Sequence, residues 1–409
     1  MAQMNDRQGT LRDGGAQILQ WRPRKDARRT TPGSRTPPLR ILFMIDELDI
    51  GGTEQQILEL ARRIDRTRFE PHVCCFRYGR KAKEIESFGV PVHHEPKRLK
   101  ADPGLILRLA SLMRRERFDI VQTYLWTANT WGRLAARLAG VPITVASERN
   151  VDIWEERYKR VIGRWLARST DGIIANSEAV RRYLLERGGL PPEKVVTIYN
   201  GVNFERFRAP CDARVRRQEL GLSADAVMAG VVARVEPAKD HQTLLHAMSL
   251  IRDRAPRLHL VIVGGGSEEA RLRRMTRDLG IADHVHFAGF RTDSAEWLQS
   301  VDFSVLSSVK EGLSNSVIES MAAGRAVTAT DVGGNAEVIV PEETGLLVPA
   351  RDTAGLAGAL LRLAESPNLR QRFGAAGQAR VESLFAVEPM VAHTQSFYQN
   401  LAERIRVAA

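Results

Sequence analysis

Two carboxylates eight residues apart, Glu311 and Glu319, form the most specific motif in the sequence. The first stands beside a glycine in a loop that follows a predicted strand, and the second lies in the next predicted helix. Both can therefore face one cleft, where one accepts hydrogen bonds from a sugar hydroxyl and the other from a ribose. Two glutamates on a solvated face are the alternative. The intervening loop begins with Gly312, Leu313, Ser314 and Asn315. Its backbone N–H groups lie at a helix N-terminus, where negative charge is favoured.

Two cations five residues apart, Arg234 and Lys239, follow another predicted strand. Such a pair at the carboxyl end of a strand suits a diphosphate, because arginine binds phosphate oxygens as a fork and lysine binds them as a point charge. Two solvated surface charges are the alternative interpretation. Position along the chain does not decide between the two.

Two glycine-rich segments stand between a predicted strand and a predicted helix. Gly51 and Gly52 allow the backbone to approach a ligand closely, and the helix after them favours an anion at its N-terminus. A plain tight turn explains them equally well. Gly264 and Gly265 open the second segment, but Glu269 occupies the place of the last glycine in a dinucleotide-binding Gly-x-Gly-x-x-Gly motif. This argues against a nicotinamide-dependent enzyme.

Strands that alternate with helices must position these groups. Short apolar runs at 40–45, 69–76, 118–123, 143–147, 172–176 and 194–199 predict buried parallel strands, with amphipathic helices between them. The alternation resumes at 227–234, 258–264, 285–289, 303–307 and 326–330. The pattern predicts an α/β fold of two doubly wound, Rossmann-like domains that face a central cleft. We expect domains at 39–208 and 209–385, and a helix at 386–409 that returns towards the first domain.

The composition is that of a globular protein of 409 residues, with 43% hydrophobic and 27% charged residues. Three cysteines argue against a disulfide framework, and no apolar run is long enough for a membrane span or a signal peptide. The net charge is +11, and residues 1–40 hold nine basic and three acidic residues. We interpret residues 1–38 as a disordered basic tail, although a transit peptide has a similar composition. No nucleic-acid-binding motif accompanies the charge, so no nucleic-acid partner is expected.

Taken in order, these motifs resemble the family-4 retaining glycosyltransferases of the two-Rossmann-domain (GT-B) type. The resemblance extends over about residues 39 to 400 and is specific as a set. Its matching pieces are Gly51-Gly52, Asn200-Gly201-Val202, Arg234 with Lys239, the run Gly264 to Glu268, Glu311 with Glu319, Asp331 to Gly334, Glu337, and Gly345 to Val348.

The resemblance implies a nucleotide-sugar donor, a UDP-sugar in our interpretation, and transfer to a glycan or lipid-linked acceptor of surface polysaccharide biosynthesis. Arg234 and Lys239 would hold the donor diphosphate and stabilise the leaving group. Glu311 would contact the transferred sugar and Glu319 the ribose. Both glycine-rich segments and the loop after Glu311 would bind the donor through their backbone. No metal ion and no cofactor are expected, and the expected location is cytoplasmic, with an anionic membrane surface as a candidate partner.

The sequence departs from the family on the acceptor side. Many members carry a histidine after the strand at 118–123, whereas this chain has Tyr124, which cannot act as a base near neutral pH without a large pKa shift. Arg149 and Asn150, after the next strand, are further candidate acceptor contacts, with a plain polar loop as the alternative. Two other functions therefore stay open: a sugar-nucleotide epimerase of the same fold, and a nucleotide-sugar-binding regulator without catalysis.

A helix predicted at 153–167 combines an apolar stripe with a basic one. Trp154, Tyr158, Val161 and Trp165 recur at helical spacing, and Arg157, Arg160, Arg164 and Arg168 lie beside them. Aromatic side chains beside arginines suit an anionic membrane surface. The alternative, which we prefer on the sequence alone, is that the stripe packs into the first domain and the arginines are only solvated.

Overall fold

The computed structural model describes residues 37–99, 102–151, 156–209 and 211–408. Two parallel β-sheets, each covered by helices on both faces, dominate these residues. Their strands are short and apolar; Ile41, Leu42, Phe43, Met44 and Ile45 of the first strand, for example, are completely buried. Strands buried on both faces are what a parallel sheet between helical layers requires. The predicted α/β fold with two doubly wound sheets is confirmed.

The first sheet has seven strands in the order β3-β2-β1-β4-β5-β6-β7. Its elements are β1 Leu39–Glu47, α1 Gly52–Arg63, β2 Phe69–Arg77, α2 Arg80–Ser87, β3 Val92–His94, α3 Pro103–Glu116, β4 Ile120–Tyr124, α4 Leu125–Ala139, β5 Ile143–Glu148, α5 Arg157–Ala167, β6 Gly172–Ala175, α6 Glu178–Glu186 and β7 Val195–Thr197. A short 3₁₀ helix, Phe204–Phe207, follows in the connection to the second sheet.

The second sheet has six strands in the order β10-β9-β8-β11-β12-β13. Its elements, with the helices after it, are α7 Ala213–Glu219, β8 Val227–Val232, α8 His241–Ile251, β9 Leu258–Val263, α9 Glu269–Asp278, β10 Val285–Gly289, α10 Ser294–Ser300, β11 Phe303–Leu306, α11 Asn315–Ala322, β12 Ala326–Thr330, α12 Asn335–Val338, β13 Gly345–Val348, α13 Thr353–Glu365, α14 Pro367–Leu384 and α15 Val387–Ala408.

Each sheet has one point where the strand order reverses. In the first sheet this point lies between β1 and β4, and in the second it lies between β8 and β11. The connections leave such neighbouring strands on opposite sides, which opens a crevice at their carboxyl ends where ligands of α/β proteins bind. Gly51 and Gly52 follow β1, whereas Arg234 and Lys239 follow β8 and Glu311 follows β11. The topology therefore places the predicted site residues at both crevices.

The last helix, α15, packs against the first sheet although it follows the second in sequence. Its Tyr398 is fully buried and its ring meets that of Phe69 edge-on, with 6.0 Å between the ring centres. Two backbone hydrogen bonds fix the segment that leads from α14 into α15. Val202 N–H donates to Phe385 O at 2.8 Å, and Val387 N–H donates to Val202 O at 3.1 Å. In the part of the chain that the structure describes, no helix is long and apolar enough to cross a bilayer.

We preferred the interpretation that the apolar stripe of α5 packs into the first domain, and the structure shows that this is wrong. Tyr158, Val161 and Trp165 are 54%, 62% and 48% exposed, so about half or more of each side chain faces solvent, although the ring of Tyr158 also meets that of Trp126 edge-on. The buried face of the helix consists instead of Gly163, Leu166 and Ala167. Helical spacing shows that two faces differ in character, but it does not show which one the sheet covers. The predicted Trp154 lies outside the described residues.

Three histidines meet beside the edge strand β10: His259 lies on β9, His286 on β10, and His284 in the 3₁₀ turn Ala282–His284 just before β10. His259 Nδ1 lies 3.1 Å from His286 Nε2, and the rings of His259 and His284 stack with 5.2 Å between their centres. Burial, followed by repulsion from the neighbouring histidines, lowers the pKa of His259 and of His286. The unfolded chain therefore takes up protons at a higher pH than the folded protein does.

This cluster should make the free energy of unfolding fall as the pH drops below about 6.5, the unfolded-state pKa of histidine. We expect the melting temperature of wild-type protein to fall between about pH 7 and pH 5. The double variant His259→Asn/His286→Asn should show a shallower fall, and His393→Asn, which replaces an exposed histidine of α15, should keep the wild-type slope. Equal slopes for all three proteins would contradict the stabilising role of the neutral cluster.

Candidate active site

Lys239 and Glu311 meet at the carboxyl ends of β8 and β11. Lys239 Nζ lies 2.5 Å from Glu311 Oε1, and Ser308 Oγ donates to the same oxygen at 2.6 Å. Glu311 is only 9% exposed, so this ion pair is shielded from bulk water. The lysine ends a 3₁₀ turn whose backbone is fixed by Ser307 Oγ, which donates to Lys239 O at 2.9 Å. The site therefore places a cation and a carboxylate side by side.

Arg234 lies on an exposed segment that the second glycine-rich loop supports. Gly264 has φ +149°, and a Cβ there would lie 1.9 Å from Ala233 O, so no other residue fits. Val235 N–H donates to Gly265 O at 2.9 Å. Both predicted glycines thus hold the backbone on either side of Arg234. The structure shows no hydrogen bond or ion pair from the Arg234 guanidinium to another described residue, which leaves it available in the crevice.

The loop after Glu311 is fixed mainly through its own backbone and side chains. Gly312 O accepts hydrogen bonds from Ser177 Oγ at 2.9 Å and from Gly334 N–H at 2.7 Å. Leu313 is buried in the core, and Ser314 Oγ caps α11 by accepting from Val317 N–H at 3.4 Å. The side chains of Leu313 and Ser314 are therefore both engaged within the protein.

Asn315, the first residue of α11, joins the two halves of the protein. Its Nδ2 donates to Gly52 O at 3.0 Å, and its Oδ1 accepts from Asn200 Nδ2 at 2.7 Å. A Cβ on Gly52 would lie 2.7 Å from Asn315 Nδ2, so a larger residue here would displace the Asn315 side chain from this contact. Arg149 Nη1 extends the chain of contacts by donating to Asn200 Oδ1 at 2.6 Å. Predicted donor-side and acceptor-side residues thus share one polar network.

Tyr124 lies inside this network and not on an open surface. It is 1% exposed, Gln122 Nε2 donates to its hydroxyl at 2.8 Å, and the Arg149 guanidinium lies 5.1 Å from its ring centre. Burial raises the pKa of Tyr124 to about 12 and lowers the pKa of Arg149. The phenol is therefore neutral near pH 7. Asn150, half-buried, accepts a hydrogen bond from Val151 N–H at 2.9 Å.

Glu54, in the first turn of α1, is a carboxylate of the site to which the sequence alone assigned no role. Its side chain folds over Gly51, where a Cβ would lie 2.2 Å from Glu54 Oε2. Burial raises its pKa, and the positive charges of Arg234 and Arg149 oppose that shift. Glu54 thus faces cations of both sheets. Its place after two glycines at the end of β1 was the signal that could have identified it.

Glu319 is also engaged in the structure. Arg206, in the 3₁₀ helix that connects the two sheets, donates through Nη1 to Glu319 Oε1 at 3.2 Å and through Nη2 to Ser294 Oγ at 3.3 Å. A small cleft at this junction is lined by both charged residues, together with Asn203 and Gln55. Nothing in the spacing of the sequence connects residues 206 and 319, so sequence reasoning missed Arg206.

Comparison with known proteins relates this geometry to a family. Residues 50–206 match the model for Glycosyltransferase Family 4, and residues 212–380 match the model for Glycosyl transferases group 1. The chain is 32% identical to the D-inositol 3-phosphate glycosyltransferase of Streptomyces scabiei, over 86% of each protein. It is 30% identical to the putative glycosyltransferase EpsD of Bacillus subtilis, over 76% of this chain and 84% of EpsD.

Among solved structures, the protein resembles Anabaena HepE in complex with UDP and glucose. The TM-score is 0.80 at 22% sequence identity, and the match covers 88% of this chain and 99% of HepE. That likeness concerns the fold and confirms the GT-B architecture. Together with the matches over both halves, it completes the identification: this chain is a glycosyltransferase and belongs to glycosyltransferase family 4.

Proposed function

We propose that this glycosyltransferase takes a sugar from a UDP-sugar and transfers it with retention of the anomeric configuration. The observation that carries the proposal is the shielded Lys239–Glu311 pair at the β8–β11 crevice, with the unpaired Arg234 beside it. Cations there suit a diphosphate, and the carboxylate suits a sugar hydroxyl. The complexes of HepE with UDP and with UDP-glucose support UDP as the nucleotide.

Each residue of the site has one role in this proposal. Arg234 and Lys239 neutralise the diphosphate, Glu311 accepts a hydrogen bond from the transferred sugar, and Glu319 accepts hydrogen bonds from the ribose. The donor is further bound through backbone near Gly51, Gly52, Gly264 and Gly265, and through the loop Gly312, Leu313, Ser314 and Asn315. When the diphosphate arrives, it competes with Glu311 for Lys239. Donor binding therefore frees the carboxylate for the sugar.

The reaction breaks the bond between the anomeric carbon and the β-phosphate oxygen, whose electron pair stays on UDP. A bond from the acceptor oxygen to the same carbon forms on the same face of the sugar. The acceptor proton passes to the leaving phosphate oxygen, so a histidine in place of Tyr124 is not required. Stabilisation of the departing charge by preorganised cations lowers the barrier. We propose that Arg234 and Lys239 supply this stabilisation without a metal ion.

We further propose a glycan or lipid-linked acceptor of surface polysaccharide biosynthesis. Arg149 supports an acceptor site on the side of the first sheet, because it connects Tyr124 with Asn200 next to the donor loop. Asn150 follows it on the same loop. Such an acceptor places the enzyme in the cytoplasm, on the inner face of the cell membrane. The name of the Streptomyces relative, D-inositol 3-phosphate glycosyltransferase, supports a second candidate acceptor, a phosphorylated inositol.

The anomeric proton of the product tests the reaction and separates it from the two other functions. We expect proton NMR of enzyme with UDP-glucose and acceptor extracts to show a new glycoside with the α configuration of the donor. Donor alone should stay intact apart from slow hydrolysis. An epimerase would convert the donor into another sugar nucleotide without any acceptor, and a regulator would bind it without any product. A β-glycoside would contradict retention.

Arg206 provides a test of the ribose site. Because Arg206 donates to Oε1 of Glu319, it fixes the position of this carboxylate at the cleft. We expect Arg206→Met to weaken UDP binding about fivefold, the effect of roughly 1 kcal/mol for a partly exposed pair. Binding of 2′,3′-dideoxy-UDP, measured by the same calorimetry, should be unchanged. Equal losses for both nucleotides would show that Arg206 does not act through the ribose.

A further inference from the structure

The exposed face of α5 has two adjoining stripes of different character. Tyr158, Val161 and Trp165 are about half exposed or more, and at 3.6 residues per turn they fall within an arc of about 60°. Arg157 and Arg168 are exposed along the next arc, on the side away from the buried Leu166. The eleven residues of α5 include no aspartate or glutamate. We call this surface the α5 face.

The geometry of the α5 face argues for a function beyond solubility. An aliphatic and two aromatic side chains side by side on one short helix form an apolar ridge, whereas isolated exposed apolar residues are common on any protein. The helix is firmly held, since Arg164 donates to Gly188 O at 2.5 Å and Lys194 Nζ donates to Ala167 O at 3.1 Å. The ridge is thus a fixed feature of the surface.

We propose that the α5 face docks this enzyme on an anionic lipid membrane. The proposal deepens the proposed function, because it rests on that function for the lipid-linked acceptor and names the surface that would bring the enzyme to it. Aromatic and aliphatic side chains enter the boundary between headgroups and acyl chains, while arginines beside them contact anionic headgroups. Charge complementarity therefore favours a membrane of negative surface charge.

Other occupants fit the α5 face less well. In a symmetric dimer the same patch would meet itself, so Arg157 and Arg168 of two copies would approach each other without an anionic partner. The helix is also only about 16 Å long, too short for the roughly 800 Å² per partner that a stable interface buries. A nucleic acid would attract the arginines but would gain little from Val161.

Co-sedimentation of the full-length protein with vesicles tests the proposal. We expect binding to vesicles of phosphatidylglycerol and phosphatidylcholine at about 0.1 M salt, and little binding at about 1 M salt, because the Debye length falls from about 10 Å to about 3 Å. Vesicles of phosphatidylcholine alone should leave most of the protein in the supernatant. A wild-type protein that stays in the supernatant with anionic vesicles at low salt would overturn the proposal.

Two double variants separate the stripes. Val161→Ser/Trp165→Ser should lower the partition coefficient about tenfold through lost apolar burial. Arg157→Glu/Arg168→Glu should lower it about 25-fold or more, at about fivefold for each arginine lost. The matched control, Leu250→Ser/Arg274→Glu, changes an exposed leucine and an exposed arginine of α8 and α9 and should bind like wild type. The N-terminal residues are common to all four proteins, so differences report on the α5 face.

Each remaining outcome has a distinct meaning. Equal binding by all variants would overturn the proposal and assign the membrane affinity to another part of the chain. Loss only in the arginine variant would indicate a general polyanion surface, and a dimer that dissociates in the Val161→Ser/Trp165→Ser variant would indicate self-association. Both outcomes contradict membrane docking. UDP affinity, measured by calorimetry, should be equal in all proteins, so failure of the donor site would be recognised separately.

A second measurement does not depend on how the double variants fold. Brominated acyl chains should quench tryptophan fluorescence of the wild-type protein on anionic vesicles, because Trp165 would lie at the headgroup boundary. Trp165→Phe keeps an aromatic ring at this position and should still bind, but its quenching should be smaller. Undiminished quenching in Trp165→Phe would contradict insertion of the α5 face.

Discussion

A Glu311→Gln variant is expected to transfer sugar on the order of 100-fold more slowly than wild type, or slower still. The neutral amide removes a contact that strengthens as charge develops at the sugar in the transition state, and loss of one such contact costs about this much. It also removes the negative charge that Lys239 and Ser308 now contact at 2.5 and 2.6 Å. The rate is measured by release of radiolabelled sugar from the donor.

Folding should be little changed in this variant, since the amide oxygen can still accept from Ser308. The melting temperature checks this expectation. Glu382→Gln, an exposed glutamate of α14, is the matched control and should keep the wild-type rate. If folded Glu311→Gln turned over the donor almost as fast as wild type, Glu311 would have no part in the reaction.

The Lys239→Ala variant should bind UDP about 1.5–3 kcal/mol more weakly, the range for hydrogen bonds to charged groups. That is a loss of roughly 10- to 150-fold in affinity. Uridine has no phosphates and should bind wild type and variant alike. Lys239 pairs with Glu311 in the structure, so part of its attraction for the diphosphate is already offset, and the effect should lie below that of an unpaired lysine.

Calorimetry with both ligands measures this difference. Lys83→Ala, which removes an exposed lysine of α2, should leave the UDP affinity unchanged. Equal losses for UDP and uridine in Lys239→Ala would mean that the lysine supports the site as a whole and does not contact the diphosphate.

The sheets could be predicted because their strands are buried on both faces and therefore read as apolar runs in the sequence. β10 and β12 begin and end as expected. The three-residue strand β3 and helix α2 were not predicted, because Val92–His94 is too short and too polar for a pattern. Helix α14 was also missed, since its glycines, buried Gly374 and Gly377 among them, interrupt the apolar spacing.

The candidate site was predictable only where its residues are close in sequence or share a motif. Arg234 and Lys239 were predicted as a pair because they lie five residues apart after one strand. Glu311 was predicted because it belongs to the motif of two glutamates eight residues apart. The roles of Gly264 and Gly265 emerge only from the structure, because both glycines serve the backbone beside Arg234. Arg206 and Glu319 are 113 residues apart in the sequence, and their contact joins a connecting segment to a helix. No local sequence pattern could therefore predict it.

The melting temperature of the native protein in the presence of nucleotide sugars tests the central claim most directly. A ligand that binds only the folded state raises this temperature, by an amount that grows with its concentration relative to Kd. The account predicts that UDP-sugars raise it, that GDP- and ADP-sugars raise it less, and that the double variant Arg234→Ala/Lys239→Ala loses the rise. If no nucleotide sugar raised the melting temperature, or if the double variant responded like wild type, the assignment of this crevice as the donor site would be contradicted.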